Sequence, residues 1–225
     1  MSSLENQLVL FLGADGSGKS TGIELTQASL DPFTSVAVLE QTKSPALRAF
    51  KRKALSRHVD AAFINEREEL FERSNHGFAS LIGEARSTHE VTLLDGHPLI
   101  TAVSHDLMRE IIGAPGSLER HRNPEKLATD MSATIMPTTV VYFHVDEDTR
   151  RERITSREDP SESLWGFNAP FFLNRYQGAL LESARATCCY AGITLIELDT
   201  GLLGHEEVTQ SITEMIPITQ TGDPR

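Results

Sequence analysis

Residues 13–21 read Gly-Ala-Asp-Gly-Ser-Gly-Lys-Ser-Thr and follow the apolar run Leu8-Val9-Leu10-Phe11-Leu12. Gly13, Gly18, Lys19 and Ser20 fill every fixed position of the phosphate-binding pattern G-x-x-x-x-G-K-[ST], in the strand-then-loop order that the pattern requires. Each residue type has a reason. Glycines let backbone N–H groups curl around an anion without a Cβ in the way, Lys19 reaches the β- and γ-phosphates, and Ser20 offers its hydroxyl to Mg²⁺. A helix that starts here points its positive end at the same anion. Ala14, Asp15, Gly16, Ser17 and Thr21 complete the expected nucleotide-contacting stretch. The pattern implies a nucleoside triphosphate, with ATP and Mg²⁺ as the expected pair.

Two more groups of residues fit phosphoryl chemistry. Val91-Thr92-Leu93-Leu94-Asp95 is a buried-strand pattern ending in an acid, and such an acid complements Ser20 by holding Mg²⁺ or its water. Its other reading is a cap on the following turn. Arg150, Arg153 and Arg157 stand at i, i+3 and i+7, so one helical face carries all three. Converging guanidinium groups need solvent, carboxylates or a shared anion, and a phosphoryl group in transfer is such an anion. Lys19, Arg150, Arg153 and Arg157 are therefore the expected catalytic cations. The competing reading pairs the arginines with Glu147, Glu152, Glu158 and Asp159 on a solvated face. The polar stretch 156–167 that follows is long enough to be a lid.

These groups need a frame to hold them. Short apolar runs rich in Val, Ile, Leu and Thr predict strands at 7–12, 36–39, 90–94, 138–144 and 193–198. Helical patterns lie between them: from the loop to about Leu30, from near Pro45, then 60–88, 99–112, 123–131, 147–156, 169–190 and 204–214. In the 60–88 helix Phe63, Leu70, Phe71, Phe78, Leu81, Ile82 and Ala85 fall near one face. Alternating strands and helices predict an α/β fold of three layers, a five-stranded mostly parallel sheet flanked by helices, in one domain over 1–225 with the lid at about 150–167. Ligands of such sheets sit beyond the carboxyl ends of the strands, where the loop already lies.

The formal net charge of −11 over 225 residues argues against a protein that coats nucleic acid. No apolar stretch approaches a membrane span, and the start Met1-Ser2-Ser3-Leu4-Glu5-Asn6 lacks a basic-then-apolar leader. The adjacent pair Cys188-Cys189 does not suit an internal disulfide. A cytoplasmic enzyme with a small-molecule phosphoryl acceptor, no nucleic acid and no membrane partner is the expectation.

With the loop, the acid and the arginines in place, the chain resembles the thymidylate kinases and neighbouring nucleoside and nucleotide kinases. An Asp before the second glycine of the loop, here Asp15, is typical of them and in that family lies near the acceptor sugar. The resemblance continues through Val140 to Asp146, Arg150 to Asp159, Phe171 to Tyr176, and the closing Ile193 to Asp199 with Glu206-Glu207-Val208. It implies a P-loop kinase fold with a mobile lid, transfer of the γ-phosphoryl of Mg·ATP to a nucleoside monophosphate of thymidylate type, and a homodimer formed near the 60–88 helix. A nucleoside or other hydroxylic acceptor, or a nucleotide sensor without catalysis, is the alternative.

The chain departs from the family on the acceptor side. Leu39-Glu40-Gln41 stands for Arg-Glu-Pro and keeps only the acid; Asp95-Gly96-His97 stands for Asp-Arg with an aromatic or His. Asp15, Glu40, Asp95, His97 and one arginine of the long helix are the expected substrate contacts. Distance from Asp95 favours Arg73 for that role, whereas the local phenylalanine spacing suits Arg67. His97 either contacts the acceptor or bonds within its own turn, and His105 is expected on a helix surface. Trp165 and Phe167 cover a base or pack the lid. The basic run Arg48, Lys51, Arg52, Lys53 and Arg57 reads as a solvated face, with a collar around the acceptor entrance as its other reading. Residues 113–124 are either a specificity insertion or a connector.

Overall fold

Strands whose residues are apolar at every position have two faces to bury, so they need a helical layer on each side. The computed structural model describes residues 6–30, 32–41, 47, 49–50, 60–113, 123–134, 136–156 and 170–216. Its order is β1 (Gln7–Gly13), α1 (Lys19–Ser29), β2 (Val36–Glu40), α2 (Ala61–Thr88), β3 (Val91–Asp95), α3 (Pro98–Ile111), α4 (Pro124–Thr134), β4 (Thr139–His144), α5 (Glu147–Thr155), α6 (Pro170–Ala191), β5 (Thr194–Asp199) and α7 (His205–Thr213). The five strands lie in the order β2-β3-β1-β4-β5, and every pairing is parallel.

Period-2 alternation along β1 feeds two cores. Leu8, Leu10 and Leu12 pack with Ile82 of α2, Val103 of α3, Leu127 of α4 and Leu180 of α6. Val9 and Phe11 turn to the other face, against Ile23 of α1 and Ile212 of α7. Removing any of these side chains from water contributes about 1.5–3 kcal/mol. Central strand β1 therefore presents its carboxyl end, and the loop after it, from the best-buried part of the sheet.

All five expected strands are present, as are the expected helices within the described residues, with ends differing by one to three residues; the helix expected from near Pro45 lies mostly outside the described residues. The face of α2 is narrower than its apolar spacing suggests. Phe63, Phe71, Phe78, Ile82 and Ala85 are buried, but Leu81 is 52% exposed, because it lies one step round the helix from Ile82. The cysteines are both free, Cys188 buried and Cys189 exposed. No helix among the described residues is long and apolar enough to cross a membrane. Arg48, the run 51–57, the segment 114–122, Arg157 and the rest of the expected lid through Trp165 and Phe167 lie outside the described residues.

Candidate active site

The phosphate loop runs from the end of β1 to the first turn of α1, with Gly18 as the helix N-cap. Its outer turn presses on α5. Gly16 has φ +84°, and a Cβ there would stand 2.8 Å from the Arg150 backbone oxygen, so the position takes only glycine. Ser17 is fully buried, and its Oγ has no hydrogen-bond partner among the described residues. Ser20 and Thr21 are exposed on the first turn of α1.

The parallel register carries three strand ends to this loop. Asp95 pairs with Phe11 of β1 on one side and with Glu40 of β2 on the other. Lys19 Nζ donates to Asp95 Oδ1, so the expected phosphate-binding lysine and the expected magnesium-side acid meet directly. Glu40 stands at the adjacent strand end.

Gly96 shows why an arginine is missing after Asp95. Its φ is +106°, and a Cβ would meet Gln41 Cβ at 2.7 Å and Gln41 Oε1 at 3.1 Å. Gln41 is itself buried, and its Nε2 donates to Asn75 Oδ1 of α2. The replacements at 41 and 96 are thus one packing solution.

His97 follows the turn-histidine reading. It caps α3, its Nδ1 accepting from Leu99 N at 3.1 Å, and burial lowers its pKa to about 3, so the ring is neutral. Its Nε2 is also buried and has no hydrogen-bond partner among the described residues, as is the case for Thr101 Oγ1. His97, Thr101 and His105 stand at i, i+4 and i+8 and form a buried polar stripe along α3, which also buries Ser104 and Asp106. His105 corrects the surface expectation: it is 2% exposed, edge-on to Phe71 at 6.0 Å, with Nδ1 3.9 Å from Glu68 Oε1. Arg109 Nη2 also reaches Glu68 Oε2, at 2.6 Å.

The two candidate arginines of α2 part company. Arg73 is 73% exposed and bonded to Glu69 on its own helix, through Nε to the backbone oxygen and Nη2 to the carboxylate. Its side chain looks to solvent. Arg67 is 5% exposed and lies over the Phe71 ring at 4.7 Å. Burial lowers its pKa to about 10, still a cation at neutral pH, with Tyr176 and Glu68 opposing the shift. Tyr176, which the residue pattern did not single out, is half-buried on α6. Burial raises its phenol above the ordinary range, the Asp15 carboxylate adds to this, and Arg67 opposes it. Its place is set by the next residue: Gln177 Nε2 donates to Val145 O at 2.8 Å, and Gln177 O accepts from Tyr142 Oη at 2.6 Å.

The arginines of α5 share a face, as their spacing requires, yet do different work. Arg153 Nη1 donates to Thr200 Oγ1 at 3.0 Å and, longer, to Gly16 O at 3.4 Å; Nη2 donates to Thr200 O at 2.9 Å. Thr200 Oγ1 in turn donates to Ser17 O at 2.7 Å. Arg153 also lines a cavity of about 310 Å³ with Gly18, Thr21, Leu25, Thr200 and His205, on the β4–β5 side of the loop. Arg150, by contrast, is 1% exposed, and its guanidinium forks onto Glu147. Arg150 and Arg153 thus sit in different surroundings. No group of three or more His, Cys, Asp or Glu residues suited to a metal occurs among the described residues.

Five parallel strands in this order, helices on both faces and a glycine-rich phosphate loop after the central strand define a P-loop kinase fold of α/β class. Among solved structures, the chain is similar to the thymidylate kinase from Candida albicans, with a TM-score of 0.64 and 17% identity over 94% of this chain and 91% of that one. No family model matches the sequence, and no curated protein matches it.

Proposed function

We propose that this chain is a Mg·ATP-dependent nucleotide kinase, and that its acceptor is a nucleoside monophosphate of thymidylate type. The observation that carries the reading is the loop's position between two different environments. The 310 Å³ cavity beside Arg153 and Thr200 lies on the β4–β5 side. Asp95, Glu40 and the buried polar stripe of α3 lie on the β2–β3 side. A donor base in the first and an acceptor in the second would put the γ-phosphoryl group over Lys19 between them.

The loop glycines and the unpartnered Ser17 hydroxyl fit a polyphosphate. Lys19 would exchange Asp95 for the β- and γ-phosphate oxygens, leaving that carboxylate to face the metal with Ser20. Bound Mg²⁺ would neutralise charge on the bridging phosphate oxygens. Arg153 would keep the cavity wall fixed to the loop and oppose developing negative charge. Asp15, Arg67 and Tyr176 would hold the acceptor, with His97 and Thr101 offering polar atoms to it. Transfer of this kind depends on positioning and electrostatics more than on covalent chemistry. One domain in a reducing cytoplasm suits such an enzyme, and the resemblance adds a homodimer.

One observation favours a second acceptor class. Gly96 and Gln41 exclude a cation directly after Asp95, whereas Glu40 beside it could take the proton of an alcohol. A panel of nucleosides, nucleoside monophosphates and small alcohols, each with Mg·ATP, tests the proposal. Faster turnover of a monophosphate supports the first reading, and preference for the matching nucleoside supports the second. Saturable ATP binding without turnover of any acceptor would leave a sensor.

A further inference from the structure

We propose that Arg150 is a positioning residue that holds Asp15 of the phosphate loop toward the acceptor, and not a group that touches the transferred phosphoryl; this rests on the kinase reading. Arg150 sits one turn into α5, 1% exposed. Its Nε donates to Glu147 Oε2 at 3.0 Å and its Nη2 to Glu147 Oε1 at 2.8 Å, a bidentate fork. The remaining Nη1 donates to the backbone oxygen of Asp15 at 3.4 Å.

The frame around this contact is firm. Asp146 caps α5 by accepting from Thr149 N at 2.9 Å. The Arg150 backbone oxygen abuts Gly16 closely enough to forbid a Cβ. Asp15 itself has an exposed side chain, and its carboxylate acts on the Tyr176 phenol. Arg150 therefore anchors the main chain of Asp15, the exposed loop residue to which the kinase reading gives an acceptor contact. Burying the Arg150 guanidinium costs desolvation that an apolar residue of similar volume avoids, and half-buried Glu147 offsets that cost only in part. Its retention here fits a role in orientation better than one in stability.

The test is the double variant Arg150→Met with Glu147→Gln, which removes both charges of the pair at once, made with and without Asp15→Ala. The expected result is a midpoint of unfolding at or above that of the wild type, ATP affinity within twofold, and an acceptor KM raised about tenfold. On the Asp15→Ala background the same pair should change acceptor KM by less than twofold, since its effect acts through Asp15. Hydrogen exchange gives a readout that needs no turnover: the Ser17 amide, bonded to Ala14 O at 3.1 Å, should exchange at least tenfold faster while β1 amides keep their protection. Equal losses for ATP and acceptor, or additive effects with Asp15→Ala, would overturn the proposal. An unchanged Ser17 exchange rate would also overturn it. Absence of turnover in the wild type would count against the kinase reading instead, and the exchange measurement would still decide the role of Arg150.

Discussion

Substituting Gly96→Ala tests how the acceptor end of β3 is built. Two separate costs apply. The backbone at φ +106° is outside the range that L side chains favour, a strain of about 1–3 kcal/mol. The added Cβ would lie 2.7 Å from Gln41 Cβ, well inside the roughly 3.5–4.0 Å contact distance of carbon atoms. Overpacking of that kind costs about 1–3 kcal/mol, and Gln41 has little freedom to retreat because its amide donates to Asn75. The midpoint of the two ranges is about 4 kcal/mol. At about 2–4 °C per kcal/mol for a chain of this size, the melting temperature should fall by about 12 °C. Introducing Gln41→Gly as well removes the clashing carbon but leaves φ unchanged. Measured against the Gln41→Gly single variant, Gly96→Ala should then show only the backbone part of its cost. Thermal and urea unfolding of the four proteins in this cycle measure both parts. A Gly96→Ala protein as stable as the wild type would refute the reasoning, as would a loss of the same size in the presence of Gln41→Gly.

Other consequences follow from single groups. His97 is neutral when folded, with a pKa of about 3 against an ordinary 6.5, so between these values the unfolded chain takes a proton that the folded one refuses. The stability it protects is complete above about pH 6.5 and falls on acidification, by about 2 kcal/mol at pH 5. His97→Asn keeps an N-cap acceptor for α3 and should lack this acid loss in urea titrations at pH 7 and 5. Arg153→Ala removes the clamp between Gly16 and Thr200, and calorimetry should show ATP affinity falling about tenfold or more, from the loss of charged hydrogen bonds worth about 1.5–3 kcal/mol. A thiol reagent should modify exposed Cys189 well before Cys188, which is buried and whose pKa is pushed up to about 11; mass spectrometry of the modified peptide distinguishes the two.

The layered fold was legible because its strands are buried on both faces and bounded by turn residues, a local signal. The phosphate loop was legible for the same reason, since its chemistry lies within nine consecutive residues. Arg150 and Arg153 could not be told apart, because helical spacing gives a shared face but not depth, and depth here is set by the approach of α5 to Gly16. Arg67 against Arg73 is a similar case. The phenylalanine spacing pointed to the buried one, while sequence distance from Asp95 pointed to the other. The stripe His97, Thr101 and His105 carried a readable signal in its four-residue repeat. His105 looked like a surface residue only because its partners, Glu68 and Phe71, come from a different helix. The reason for Gly96 needed the fold, since Gln41 and Asn75 reach it from two other elements.

The central claim is that the loop after β1 serves phosphoryl transfer through Lys19. Following the γ-phosphate of labelled ATP, with Mg²⁺ and the preferred acceptor, in the wild type and in Lys19→Met measures this directly. The account predicts label appearing on the acceptor with the wild type, and a loss of at least a hundredfold in the variant with its unfolding midpoint retained. Transfer by Lys19→Met at the wild-type rate, or ATP bound by the wild type without label reaching any acceptor, would contradict it.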